Sequence, residues 1–249
     1  MCGPGGPTAL HTACVGGHFA IVQKLIAAGA DPNQRDEGGK GPLHWLARRG
    51  SVKILKYLIQ AGSKIDARDP NGYTPLHYAA DAGNLPILHE LVRAGSSHAW
   101  LSNTCQTPLT LACMTGDPGC VKYLLDKCKT DPGATDDVGY TPLAIAAQHG
   151  HFEAVEMLLK FGVSQLGPNA YRDALSGVAM AGNVRMIRAL VRAEGGVHVQ
   201  GALTSKKMTA LHYTAGYCHP LATSVLLEAG GDEKAANIEG KRLWTLSTP

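Results

Sequence analysis

Apolar positions in this chain recur at helical spacing in short bursts, and each burst is cut off by glycine or a polar turn. Ile87, Leu88, Leu91 and Val92 fall on one face of a helix predicted from Leu85 to about Ala94. Just before it, Thr74-Pro75-Leu76-His77-Tyr78-Ala79-Ala80 predicts a shorter helix. Thr74 is its N-cap, and Pro75 takes the first helical position, where its missing N–H costs nothing. Gly83-Asn84 ends that helix, glycine being favoured in a left-handed cap. Upstream, Asp69-Pro70-Asn71-Gly72 reads as a tight turn, and after Gly95 an extended finger leads to the next turn.

The same sentence is written again along the chain. Thr8-Ala9-Leu10-His11, Gly41-Pro42-Leu43-His44, Thr107-Pro108-Leu109, Thr141-Pro142-Leu143 and Thr209-Ala210-Leu211-His212 repeat the start of the first helix. From Thr8 the starts fall at Gly41, Thr74, Thr107 and Thr141, at intervals of 33, 33, 33 and 34 residues. Isolated helices under about 12 residues are marginal in water, so neither helix of a unit can bury its apolar face alone. Stacking of units solves this, and a fixed period of this size is its mark. The small pairs Ala79-Ala80, Ala112-Cys113 and Ala146-Ala147 fall where neighbouring first helices must approach closely.

The period and the Thr-Pro-Leu-His motif resemble the ankyrin-repeat family over essentially the whole chain. The resemblance implies an all-α repeat, an ankyrin solenoid of stacked helix-turn-helix units with β-hairpin-like fingers. One array over 1–249 is expected, with units near 3–35, 36–68, 69–101, 102–135, 136–167, 168–203 and 204–236. Residues 237–249 then form a partial eighth unit or cap. The ends stop mid-pattern, which suits a piece of a longer chain as well as a capped array. Unit six is the weak copy: Asp173-Ala174-Leu175-Ser176 stands where Thr-Pro-Leu-His is expected, with Asp173 as the cap and no histidine. A longer finger around Gly195-Gly196-Val197-His198 follows it. Its interfaces are expected to be the weakest of the array.

Several side chains invite chemistry and decline it on spacing. His11, His44, His77 and His212 share the fourth motif position and read as hydrogen-bonded structural residues. Cys105, Cys113, Cys120 and Cys128 lack the close pairs of a structural zinc site and read as small hydrophobes. No phosphate loop, zinc-protease or nucleophile-elbow motif occurs, so no catalytic residue, metal or cofactor is expected and the chain reads as a non-enzyme. Seven cysteines with no C-x-x-C pair suit reduced thiols in a cytoplasmic or nuclear setting. A net charge of +3 gives no argument for nucleic acid, and no apolar run approaches a membrane span.

In this family the finger tips and first helices line a concave face that selects a protein partner. The matching positions, expected to bind, are Lys40, Arg48, Arg49, Tyr73, Asp81, Gln106, Met114, Asp137, Tyr140, Arg172 and Tyr217. The leading expectation is a protein-interaction module, a scaffold or adaptor, that takes a partner's loop or extended segment. That segment is acidic where it meets unit two, because Arg48, Arg49 and Lys40 cluster there. The alternative is a substrate-recruiting or methyl-lysine reader domain of a larger enzyme such as a ubiquitin ligase, kinase or methyltransferase. Trp45 and Tyr78, at one motif position in successive units, could serve as such a reader's rings or simply pack between helices.

Overall fold

A computed structural model describes residues 6–161, 170–194 and 208–235. Two compact units emerge, Met1–Thr130 and Asp131–Pro249. The N-terminal unit holds four helix pairs: α1 (Ala9–Val15) and α2 (Phe19–Ala27), α3 (Pro42–Arg49) and α4 (Val52–Gln60), α5 (Pro75–Asp81) and α6 (Leu85–Arg93), α7 (Pro108–Thr115) and α8 (Pro118–Asp126). First helices pack in the order α1, α3, α5, α7, and second helices in the order α2, α4, α6, α8. The C-terminal unit holds α9 (Pro142–Gln148), α10 (Phe152–Phe161), α11 (Ala170–Met180), α12 (Val184–Glu194), α13 (Ala210–Gly216) and α14 (Pro220–Glu228). There α11 lies between α9 and α13, and α12 between α10 and α14.

Each first helix begins as its motif dictates. Thr74 is extended at the N-cap of α5, with Pro75 in the first turn. His77 then closes a clamp that is part local and part tertiary. Its Nδ1 accepts from the Thr74 N–H at 3.1 Å and lies 2.9 Å from the Thr74 hydroxyl, while Nε2 lies 3.1 Å from the Gln106 carbonyl of the next repeat. His11 repeats the arrangement, with Thr8 at Nδ1 and the Lys40 carbonyl 2.9 Å from Nε2. A neutral ring with its proton on Nε2 satisfies both sides, so these buried histidines bind one repeat to the next. Burial holds the His11 and His44 rings below the usual imidazole range and pushes His77 down to about 4.

Packing is tightest where side chains are smallest. Ala79, Ala80, Ala112 and Cys113 are fully buried, so α5 and α7 approach almost backbone to backbone. Second helices supply the bulk: Ile87, Leu88 and Leu91 are also fully buried, each worth about 2 kcal/mol of transfer free energy.

The fingers are hairpin-like turns; no β-strand forms among the described residues. Asp69 N–H donates to the Tyr73 carbonyl at 2.9 Å, and its carboxylate accepts from the N–H groups of Asn71 and Tyr73. Gly72, at φ 82°, makes the turn possible. In the fourth finger Cys105 occupies the equivalent place at φ 56°, a conformation that strains a side chain. Arg35 and Arg68 brace successive fingers. Arg68 donates to the Gly72 carbonyl at 3.2 Å and to the Leu101 carbonyl at 2.9 Å; Arg35 does the same with Gly39 and Arg68.

The weak sixth repeat differs from its expected form. α11 begins at Ala170, so Asp173 lies inside the first turn and does not cap the helix. The extra turn buries Ala170 and Tyr171. Ser176, in the place of the histidine, turns back on its own helix and donates to the Asp173 carbonyl at 2.9 Å. The long finger after Glu194 and the partial eighth unit lie outside the described residues.

Candidate partner-binding surface

Two adjoining pockets open on the finger-and-first-helix side of the N-terminal unit, and Tyr78 of α5 forms a wall of both. The position of Tyr78 follows from its repeat. Its hydroxyl donates to the finger carboxylate of Asp69 at 2.8 Å, and its ring meets the His44 edge at 5.6 Å. Trp45, one repeat earlier, donates from Nε1 to Asp36 at 2.7 Å and meets His11 edge-on at 6.1 Å. Both aromatics are thus anchored by packing on the preceding histidine and by a hydrogen bond to their own finger.

The first pocket encloses about 310 Å³ between Trp45, Tyr78, Val15 and three cations, Lys40, Arg48 and Arg49. Lys40 Nζ sits 5.1 Å from the centre of the Tyr78 ring, a cation–π contact that fixes it in the wall. Arg48 reaches Asp81 at 3.5 Å, an exposed pair of small worth. Arg49 is exposed and forms no ion pair among the described residues. The pocket therefore keeps a net positive lining.

The second pocket, about 330 Å³, is lined by Tyr73, His77, Asp81, Gln106, Leu111 and Met114 besides Tyr78. Tyr73 is only half-exposed. Its hydroxyl donates to Gln106 Oε1 at 2.6 Å, and its ring packs edge-on against His77 and Tyr78. Tyr73 and Gln106 are thus committed to one another and form a fixed rim of the pocket.

Seven of the residues expected to bind are gathered here: Lys40, Arg48 and Arg49 around one pocket, Tyr73, Asp81, Gln106 and Met114 around the other. The remaining four belong to the C-terminal unit. Asp137 is exposed beside Asp136, whose carboxylate accepts the Val138 and Tyr140 N–H groups to shape the finger. Tyr140 stands exposed on that finger. Arg172 is half-buried and pairs with Asp173 at 3.5 Å, while Tyr217 is exposed and stacks on His219. Trp45 and Tyr78, whose shared motif position marks them as either a reader's rings or inter-helix packing, are pocket walls, and Val15 joins them without any signal in the motif.

No group of three or more metal-binding side chains gathers among the described residues. Cys113 and Cys120 are fully buried, and burial raises their thiols far above the usual range, which leaves them inert. Cys14 is pushed up to about 12 by the same cause. No described helix is long and apolar enough to cross a membrane.

Paired short helices, a clamp of threonine and histidine between repeats, and a row of fingers beside the first helices define a helical repeat protein. A family model described as ankyrin repeats in three copies matches residues 10–99 and again 90–169. The chain belongs to the ankyrin-repeat family. It is also similar, with 44% identity over 57 residues, to a protein of Dictyostelium discoideum named 26S proteasome non-ATPase regulatory subunit 10. The matched stretch covers 23% of this chain and 25% of that relative, so the likeness spans about a quarter of each.

Proposed function

We propose that the chain is a non-enzymatic protein-interaction module, a scaffold or adaptor that holds an extended segment or loop of a partner along its fingers and first helices. One observation carries this reading: a cationic pocket and a mixed one, in which Leu111 and Met114 stand beside Asp81 and Gln106, lie side by side and share Tyr78. A partner segment that places a carboxylate against Arg48 and Arg49 and an apolar side chain beside Leu111 and Met114 fills both. Arginine and aromatic side chains at such sites are the usual anchors of binding energy. The relative's printed name, a non-ATPase regulatory subunit, suits a regulatory role. Unpaired cysteines suit a reducing compartment, cytoplasm or nucleus.

The same surface would serve a recruiting domain of a larger enzyme. A methyl-lysine reader is a poorer match, since a methylated ammonium would meet Lys40, Arg48 and Arg49 around the Tyr78 ring. The test is affinity capture and titration of a captured partner with the native chain and with the Arg48→Ala, Arg49→Ala double variant. A loss of at least about tenfold is expected. An unchanged affinity removes the first pocket from the site.

A further inference from the structure

Some cations on the second helices of the N-terminal unit are paired with carboxylates, whereas among the described residues those of α12 are not. In the N-terminal unit Lys56 and Arg93 both reach Glu90, at 3.5 and 4.0 Å, and Lys122 reaches Asp126 at 3.7 Å. In the C-terminal unit α12 carries Arg185, Arg188 and Arg192, which fall at i, i+3 and i+7 on one face and are all exposed. Among the described residues none of the three forms an ion pair.

These arginines line a groove of about 610 Å³ between α10 and α12. Lys160 adds a fourth cation, and among the described residues Glu156 is the one carboxylate in the lining. The groove is partly built in advance: the Arg185 guanidinium lies 3.5 Å from the centre of the Phe152 ring, which holds it in place without neutralising it. Between the charges Leu159, Ala189 and Ala193 give an apolar, half-buried floor. Like charges at helical spacing repel, so this stripe opposes the stability of its own helix.

We propose that this groove is a second docking site, separate from the finger-side pockets, for an acidic amphipathic helix of a partner protein. The occupant follows from the lining. Three guanidinium groups along one helix face match carboxylates repeated at the same spacing on a facing helix, each able to accept a forked pair of hydrogen bonds. The apolar floor matches the leucine-type residues on the inner side of such a helix. Nucleic acid fits less well, because the Phe152 face that could stack a base is already covered by Arg185, and the floor would be left without an apolar partner.

The test uses the full chain and two labelled peptides of about 18 residues with identical glutamate and leucine content. In one the leucines form a single helical face; in the other they are dispersed. Fluorescence anisotropy at about 0.15 M salt reads the affinity and holds non-specific attraction down. The in-phase peptide is expected to bind at least about fivefold tighter than the dispersed one. Arg188→Gln with Arg192→Gln should weaken it about tenfold, whereas Arg48→Ala with Arg49→Ala should leave it unchanged. Glutamine at exposed helical positions keeps helix propensity, and an undiminished melting temperature verifies the fold. Equal binding of the two peptides, full binding by the Arg188→Gln, Arg192→Gln variant, or tighter binding of a DNA duplex of equal length would each overturn the proposal.

Discussion

The repeats built on α5 and on α11 bury their first helices by different means. In α5 a seven-residue helix is locked by Thr74 and His77, and the histidine reaches across to the Gln106 carbonyl. In α11 that clamp is gone; eleven residues take the place of seven, and Tyr171, Ala174, Leu175, Val178 and Ala179 are all buried. An extra turn of buried side chains seats α11 where Asp173 and Ser176 stand in place of the threonine and histidine of α5. The polar clamp adds geometry, since His11 and His77 each meet buried groups in two repeats at once. Losing half of such a clamp is costly, while never having had it is not.

The sharpest way to break this comparison is to remove one side chain from each repeat. His77→Ala leaves the Thr74 hydroxyl and N–H and the Gln106 carbonyl short of a partner in a buried site and opens a cavity, so a loss of about 3–4 kcal/mol is expected. Ser176→Ala gives up one bond within its own helix and should cost under about 1 kcal/mol. Urea denaturation followed by amide hydrogen exchange on α5 and α11 reads both. Comparable losses would mean that the clamp is not what separates the two repeats.

Acid should show the same asymmetry from the other side. The folded chain holds His77 at about 4, against an ordinary value of 6.5. The native state then binds fewer protons than the unfolded chain between these values, and stability falls as pH drops from about 6.5 to 4. For this separation the loss is on the order of 2–3 kcal/mol. Buried His11 and His44 push in the same direction. Denaturation midpoints measured across that window should decline, and His77→Gln should flatten the slope. A slope untouched by the substitution assigns the acid sensitivity elsewhere.

Two smaller effects sharpen the picture within each unit. Cys105 sits in the left-handed region where the third finger uses Gly72, so Cys105→Gly should relieve strain and raise stability by about 0.5–1 kcal/mol after the entropy of glycine is counted. The same substitution at a right-handed surface position would lower it. In the C-terminal unit Arg188→Gln separates the cations of α12 and should raise stability by a few tenths of a kcal/mol, seen as a slightly higher melting temperature. A fall would show that Arg188 earns its place in the fold and weaken the view of the stripe as a surface kept for a partner.

Much of this was readable along the chain because repeat proteins repeat their reasons. The Thr–Pro opening of α5, the buried histidines and the alanine pairs of the first-helix interfaces all follow from local rules and periodicity. The weak repeat was flagged by the absence of its motif, yet its helix start was misplaced: the motif frame put a cap at Asp173, whereas burial of Tyr171 and Ala170 carried the helix a turn further back. The finger-side pockets were half legible. Lys40, Arg48, Tyr73 and Met114 could be chosen by motif position, but position does not say that Tyr73 is tied to Gln106 or that Arg48 meets Asp81.

The linear order of residues was enough for the period, the helix pairs and their caps, because each depends on neighbours within a few positions or on a motif recurring at a fixed interval. Which side chains came to line the pockets depended on contacts between repeats. Trp45 and Tyr78 became pocket walls once histidines of the preceding repeat and finger aspartates fixed their rings. The arginines of α12 became an exposed stripe once α10 turned Phe152, and no matching row of carboxylates, toward them. Charge satisfaction and ring placement are settled between elements far apart in the chain, where a local pattern has no reach.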